Sequence, residues 1–123
     1  METKQIKDDL DLEDLDNFTG TEQYHKISLY PNVNLTDGIA YVMDNGYSWF
    51  ITDMLAVVRT KEEIMNEDFL SIKLVINKDK TATAKITDGN DKVLYKQEYK
   101  WTNGKKDLNL FFTNDVLMLS QEY

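Results

Sequence analysis

Chemistry in a protein chain needs groups that attack, carry protons or hold a metal, and this sequence supplies few of them. It has no cysteine and a single histidine, His25. A hydroxyl nucleophile needs an adjacent base, so any serine triad here must use His25, and no G-x-S-x-G stretch exists. The plainer reading makes His25 a strand residue with a surface hydrogen bond. Asp88, Asn90 and Asp91 share one turn, but Mg²⁺ or Ca²⁺ wants several oxygens converging on a point, and no ligand-rich segment follows; Asp88-Gly89 reads first as hairpin chemistry. Glu22, Asp37 and Asp53 would do acid–base work only if burial set their pKa values apart, and helix capping is the simpler account of Asp37. Gly38, Gly46 and Gly89 are isolated, with neither a Walker-type loop nor a strand–GxGxxG–helix unit around them. No catalytic residue, metal or cofactor is assigned. A pocket around Tyr24, His25, Asp37 and Asp53, serving a small enzyme or a ligand binder, stands as the alternative.

Charge is where the sequence is uneven. Met1 to Gln23 holds eight acids and two lysines, while Phe69 to Tyr123 holds seven acids and nine lysines, within a chain of net charge −8. Asp8, Asp9, Asp11, Glu13, Asp14 and Asp16 surround a sparse apolar stripe. They are either a solvated helix face or a negative surface that docks on a partner's basic groove, since carboxylates and phosphates both accept hydrogen bonds from Arg and Lys. Lys73, Lys85, Lys96 and Lys100 sit at the non-core parity of expected strands. They either solvate an open sheet face and block edge pairing or form a stripe that touches RNA phosphates, with aromatic rings near enough to stack on bases. This half has no arginine, which removes the bidentate fork for phosphate. A pI near 4.5 disfavours nonspecific attachment to nucleic acid or anionic lipid without excluding local contact.

The elements that must position these residues follow from periodicity. A length of 123 residues predicts one domain with a real core, and the aromatic content argues against disorder. No apolar run nears the ~18–20 residues that span a bilayer, and the acidic start lacks the basic and apolar blocks of a secretory signal, so a cytoplasmic protein is expected. A helix is predicted from Lys4 to Asp16, a short edge strand over Tyr24 to Tyr30, and a loop at Pro31, Asn32 and Asn34. Thr36-Asp37 reads as the start of a short helix over Gly38 to Asn45, with a strand over 39–43 as the competing reading, and Gly46 fits its left-handed close. Ser48 caps a second helix from Trp49 to Arg59, and one loose turn follows over Thr60 to Asp68. From Phe69 the period becomes two. Leu70, Ile72, Leu74 and Ile76 point inward, then Ala82, Ala84 and Ile86, then Val93, Tyr95, Tyr99 and Trp101, then Leu108, Leu110 and Phe112. Asn77 to Lys80, Asp88 to Asp91 and Asn103-Gly104 read as the joints. Trp49 and Trp101 are expected as core anchors. The expected class is α+β: N-terminal helices on one face of a four- to five-stranded antiparallel β-meander, with Val116 to Leu119 a fifth strand or a closing segment.

Four stretches in this order resemble a family of small proteins of unknown function from bacteria, their phages and other mobile elements. They are Leu15 to Tyr24 (LDNFTGTEQY), Thr36 to Tyr41 (TDGIAY), Gly46 to Asp53 (GYSWFITD) and Val116 to Tyr123 (VLMLSQEY). Members often carry a histidine after paired aromatics near the first stretch; here Tyr24-His25 stands there with one aromatic replaced. The resemblance implies a fold and a mobile-element context, not an activity.

Small acidic proteins in that context are often inhibitors of host defence, anti-CRISPR proteins among them. The expected function is therefore non-enzymatic: a small acidic binding protein that inhibits a host nucleic-acid-guided effector through protein or guide-RNA contact. Its expected partner is a protein with a basic surface, a CRISPR effector or that effector's guide RNA, with no membrane involved. An oligomerising, antitoxin-like regulator that forms a homodimer is the other alternative.

Overall fold

The computed structural model describes residues 15–27, 30–102, 104 and 106–123, and at 30 and 31 the backbone alone. The helix expected over 4–16 lies almost wholly outside these residues; its last part, Leu15–Asn17, is a 3₁₀ turn with Leu15 buried. Three helical elements follow one another before the main run of strands. A helix starts at Thr36-Asp37 as expected, but its cap is Thr36 and not Asp37: the Thr36 hydroxyl accepts from the Ile39 amide at the start of α1 (Asp37–Val42). Gly46 takes the expected left-handed conformation, φ 101°, in the kinked turn that separates α1 from α2 (Ser48–Thr60). Ser48 does not cap α2: its hydroxyl donates instead to the Met43 carbonyl, across that kink. Phe50, Ile51, Met54, Leu55 and Val58 form the buried side of α2 at three- and four-residue spacing. The loose turn after it is α3 (Glu62–Met65).

The sheet is larger than the sequence suggests and is mixed. Its strands are β1 (His25–Ile27), β2 (Tyr30–Leu35), β3 (Phe69–Ile76), β4 (Ala82–Thr87), β5 (Val93–Tyr99), β6 (Leu108–Thr113) and β7 (Val116–Leu119), in the order β1-β2-β7-β6-β3-β4-β5. All neighbours are antiparallel except β2 and β7. Two expectations fail here. The segment read as a Pro/Asn loop is β2: Val33 and Leu35 are buried at a period of two, and Pro31 is tolerated because it falls where the β1–β2 register breaks, between the Tyr30 and Asn34 pairs, and before the pairing with β7 begins at Asn34. The sheet is also not a simple meander, since β6 returns to pair with β3 instead of following β5. No hairpin therefore joins β5 to β6 where Asn103-Gly104 is expected to turn the chain. Gly104 is buried under Tyr47, where an added Cβ would come within 3.3 Å of its hydroxyl and 3.1 Å of Ile76 Cδ1, and that hydroxyl bridges the Lys106 carbonyl and amide. The true two-residue turn is Asn114-Asp115, with φ 52° and 62°, joining β6 to β7.

One face of the sheet joins the helices in a continuous core. Leu70, Ile72, Leu74, Ala82, Ala84, Ile86, Leu108, Leu110, Phe112, Leu117 and Leu119 meet the buried side of α2 there. Each large aliphatic so buried is worth about 1.5–3 kcal/mol in area removed from water. Trp49, at the start of α2, packs edge-on against Tyr99 of β5 (centroids 4.9 Å). Arg59, at its end, lies 5.3 Å over the Phe112 ring and donates to Asp115 at 2.8 Å. The helix thus crosses the sheet from the β5 edge to the β6–β7 turn. Trp101 is no core anchor: it is 67% exposed, beyond the end of β5. Val93 is also turned outward, because a bulge between Ile86 and Thr87 shifts the register and gives Leu94 the half-buried place.

Candidate functional site

Two regions concentrate the polar side chains that the sequence singles out. The first is the start of α1. His25 lies opposite Leu35 in the β1–β2 pairing, and its Nε2 is 2.9 Å from Asp37 Oδ1. The other Asp37 oxygen accepts the Glu22 amide at 2.9 Å, and the Asp37 amide donates to Thr21 Oγ1 at 2.9 Å. Those bonds hold the Asp37 carboxyl below the usual carboxylate range, the Glu22 amide acting most and the His25 contact next. Beside it, Glu122 accepts the Thr36 hydroxyl (2.6 Å) and the amides of Gly38 (3.1 Å) and Leu119 (2.9 Å). Gln121 ties the same corner to the Leu15 carbonyl at 2.8 Å. Gly38 is required by this closeness, since a Cβ there would lie 2.5 Å from both Glu122 Oε1 and Leu119 Cδ1. The corner joins residues 15–25, 36–38 and 119–122, and a carboxylate meets the otherwise unpaired Gly38 amide of the helix start, as helix-terminal amides require.

The expected pocket is only half assembled. His25 and Asp37 meet, but Tyr24 is 60% exposed. Asp53 stands apart on α2, where it accepts the Tyr99 hydroxyl at 3.0 Å. Burial and that carboxylate raise the Tyr99 phenol above its ordinary value. His25 is on one edge strand of the sheet and Tyr99 on the other. The Thr21 hydroxyl beside the His25–Asp37 pair donates to the Gln23 carbonyl at 2.7 Å, so it serves as a turn bond. Asp88 accepts the Asn90 and Lys92 amides within its turn, as hairpin chemistry expects. Among the described residues no group of three or more His, Cys, Asp or Glu side chains is placed to hold a metal ion, and no helix is long and apolar enough to cross a membrane.

The second region is the sheet face away from the helices. Lys73 is the direct cross-strand partner of Lys85, and Lys85 of Lys96. Three exposed lysines therefore stand in one row across β3, β4 and β5. Glu98 reaches Lys96 at 3.8 Å. Lys100 is exposed just past β5 and outside the row. Like charges directly opposite on a sheet repel, so the row costs the free protein stability. On the same face Phe69, Phe111 and Tyr123 form an aromatic cluster with centroids 4.9 to 5.9 Å apart. Phe111 and Lys73 occupy neighbouring rungs, since Phe111 faces Ser71, two residues from Lys73. Of the acidic stretch, Asp16 is exposed, and Asp8, Asp9, Asp11, Glu13 and Asp14 lie outside the described residues.

Sequence reasoning misses Glu122 and Thr21 as partners of the helix start and Gln121 as the tie to Leu15. Thr36-Asp37 signalled a helix start, but nothing local points to a carboxylate 84 residues away from Gly38.

Fold and site together define an α+β protein in which one helical layer covers a mixed sheet and the sheet's other face carries a lysine row. The chain belongs to a family of unknown function, DUF6876, whose match spans residues 9–123 and includes all four of the stretches quoted from the sequence. No curated protein and no solved structure matches it.

Proposed function

We propose that this is a non-catalytic binding protein that meets a polyanion on the open face of its sheet. The observation that carries the reading is the row Lys73–Lys85–Lys96, three consecutive cross-strand partners of one sign. A free protein gains nothing from that arrangement, whereas a phosphate backbone laid across the strands relieves the repulsion and releases counterions. The aromatic rings of Phe111, Phe69 and Tyr123 on the same face offer stacking to unpaired bases, so single-stranded RNA is the polyanion of choice. The one histidine is bonded to Asp37 at a helix start, which supports a structural role for it rather than proton transfer.

In the cell we place this contact in a defence setting. The protein acts in the host cytoplasm as a mobile-element-borne inhibitor of a nucleic-acid-guided effector, such as a CRISPR nuclease, by engaging its guide RNA. Small size, acidic bias and the resemblance to proteins of mobile elements support that step. Co-expression with such an effector and a phage challenge tests it. Loss of interference with the wild-type protein, and its recovery with Lys73→Glu/Lys96→Glu, is the expected result; full interference beside the wild-type protein contradicts it.

A second contact is favoured by one feature of the sequence, the six acids from Asp8 to Asp16. They directly precede or flank Leu15, which is buried and held by Gln121. A basic protein surface, such as a nucleic-acid groove of the effector, is the matching partner, with association steered electrostatically and weakened by salt.

A further inference from the structure

The last strand of the sheet, β5, has a free side. It pairs with β4 on one edge, and among the described residues no strand pairs with the other. A bulge at Leu94 blunts its beginning, but Tyr95 to Tyr99 run on as five regular residues. We infer that this edge is a self-association surface, on which a second copy of the chain adds its own β5 antiparallel about a two-fold axis through Gln97.

The register follows from the side chains. If the two sheets are to continue with both helical layers on one side, a residue must sit on the axis, because successive side chains alternate between faces. An axis through Lys96 sets lysine against lysine, and an axis through Glu98 sets glutamate against glutamate and Lys96 against Lys100. An axis through Tyr99 opposes Glu98 to Lys100, but Lys100 lies past the end of the strand, whereas an axis through Gln97 sets Lys96 opposite Glu98 of the partner twice over, both within it. Lys96 and Glu98 are both exposed on the open face, with side chains 53% and 74% accessible, and opposite charges placed directly across an antiparallel pair attract. On the core side the same axis sets Tyr95 opposite the partner's Tyr99, extending the aromatic edge of the core. Antiparallel pairing also brings the Val93 end of one strand beside the Trp101 end of the other. These are two large apolar side chains left 52% and 67% exposed in the single copy. A lone lysine at the centre of an edge strand repels a second edge; the glutamate two residues on turns that repulsion into pairing at this register. The product is a continuous fourteen-strand sheet, twice the seven of one copy, in which the two lysine rows meet at the axis.

Analytical ultracentrifugation of the full chain tests this directly. The wild-type protein is expected to show a concentration-dependent monomer–dimer equilibrium. Lys96→Glu alone sets glutamate against glutamate across the axis, and Glu98→Lys alone sets lysine against lysine. Each is expected to weaken self-association by about tenfold or more while circular dichroism stays unchanged. In an equal mixture of the two variants, one chain brings carboxylates at both positions and the other brings ammonium groups at both. Every pair across the axis is then of opposite sign, so a heterodimer at least as tight as the wild-type dimer is expected. A general loss of folding or solubility would not produce that recovery. A second readout needs no charge change: Gln97→Cys, the chain's only thiol, is expected to crosslink on oxidation at a concentration where Lys78→Cys, in the β3–β4 turn, does not. A wild-type protein that stays monomeric at every accessible concentration, single reversals that dimerise as well as wild type, or a mixture that stays monomeric would each overturn the inference.

Discussion

The corner at the start of α1 and the open face around Lys85 treat charge in opposite ways. At the corner every carboxylate has a donor: Asp37 takes a ring nitrogen and an amide, and Glu122 takes a hydroxyl and two amides. On the open face, three ammonium groups are set beside one another with one carboxylate in reach. The corner uses charge to close the fold, joining residues 84 apart. The face leaves charge available. The proposed contact would use the charge left at the face, and substitution separates that role from the corner's role in stability.

The largest effect is expected at the corner. Glu122→Ala leaves the Thr36 hydroxyl and the Gly38 and Leu119 amides without their acceptor, and half-buried donors left unmet cost about 1–3 kcal/mol each before water takes their place. A net loss of about 3 kcal/mol in urea unfolding is expected. Gly38→Ala comes next. Alanine favours a helix by up to about 1 kcal/mol, yet its Cβ meets Glu122 and Leu119 side chains that are themselves held in place. A net destabilisation of about 1–2 kcal/mol is expected, and a more stable Gly38→Ala protein would break the account of the corner.

A smaller effect depends on pH. Asp37 is held below the usual carboxylate range in the folded state, so it favours folding wherever it is ionised in both states. That contribution is fully present above its ordinary pKa of 3.8 and is lost as pH falls through the lower folded value. Melting temperature plotted against pH is expected to fall less steeply on this acid side for Asp37→Asn than for the wild type. Identical slopes would assign the acid sensitivity to other groups.

The smallest change in stability has the opposite sign. Lys85→Glu converts a row of three like charges into an alternating one. It is expected to raise stability by about 0.2–1 kcal/mol while removing the centre of the proposed contact. Lys100→Glu, outside the row, is expected to leave both stability and polyanion binding nearly unchanged.

How much of this was legible in the sequence follows the range of the interactions. Local signals are readable: Thr36-Asp37 as a helix start, though the cap is Thr36 and not Asp37, Gly46 as a left-handed stop, the apolar spacing of α2, the period of two through β3 and β4, and the outward parity of Lys73, Lys85 and Lys96. What failed was long-range. Pro31 hides β2 because its tolerance depends on where the β1 register breaks and where the β7 pairing begins. Asn103-Gly104 looked like a hairpin because the sequence does not reveal that β6 pairs with β3 and that Gly104 must pass beneath Tyr47. Strict alternation puts Val93 and Trp101 inward, but one bulged residue inverts the alternation before Val93 and the strand ends before Trp101. The lysine row itself lay between these cases. Parity gave the face, but only the register of two hairpins aligned the three side chains. The site around His25 is half legible: Tyr24-His25, Thr36-Asp37 and the stretches holding Thr21 and Glu122 stand out in the sequence, but nothing there says that Thr21 and Glu122 bond the helix start.

The measurement that bears most directly on the central claim is a fluorescence anisotropy titration of a labelled single-stranded RNA with wild-type and Lys85→Glu protein at several salt concentrations. Wild-type binding that weakens steadily with salt, and its loss in a Lys85→Glu protein that melts at the same or a higher temperature, is the result expected of a contact surface built on the lysine row. Equal binding by both proteins, or none by the wild type at low salt, would contradict it.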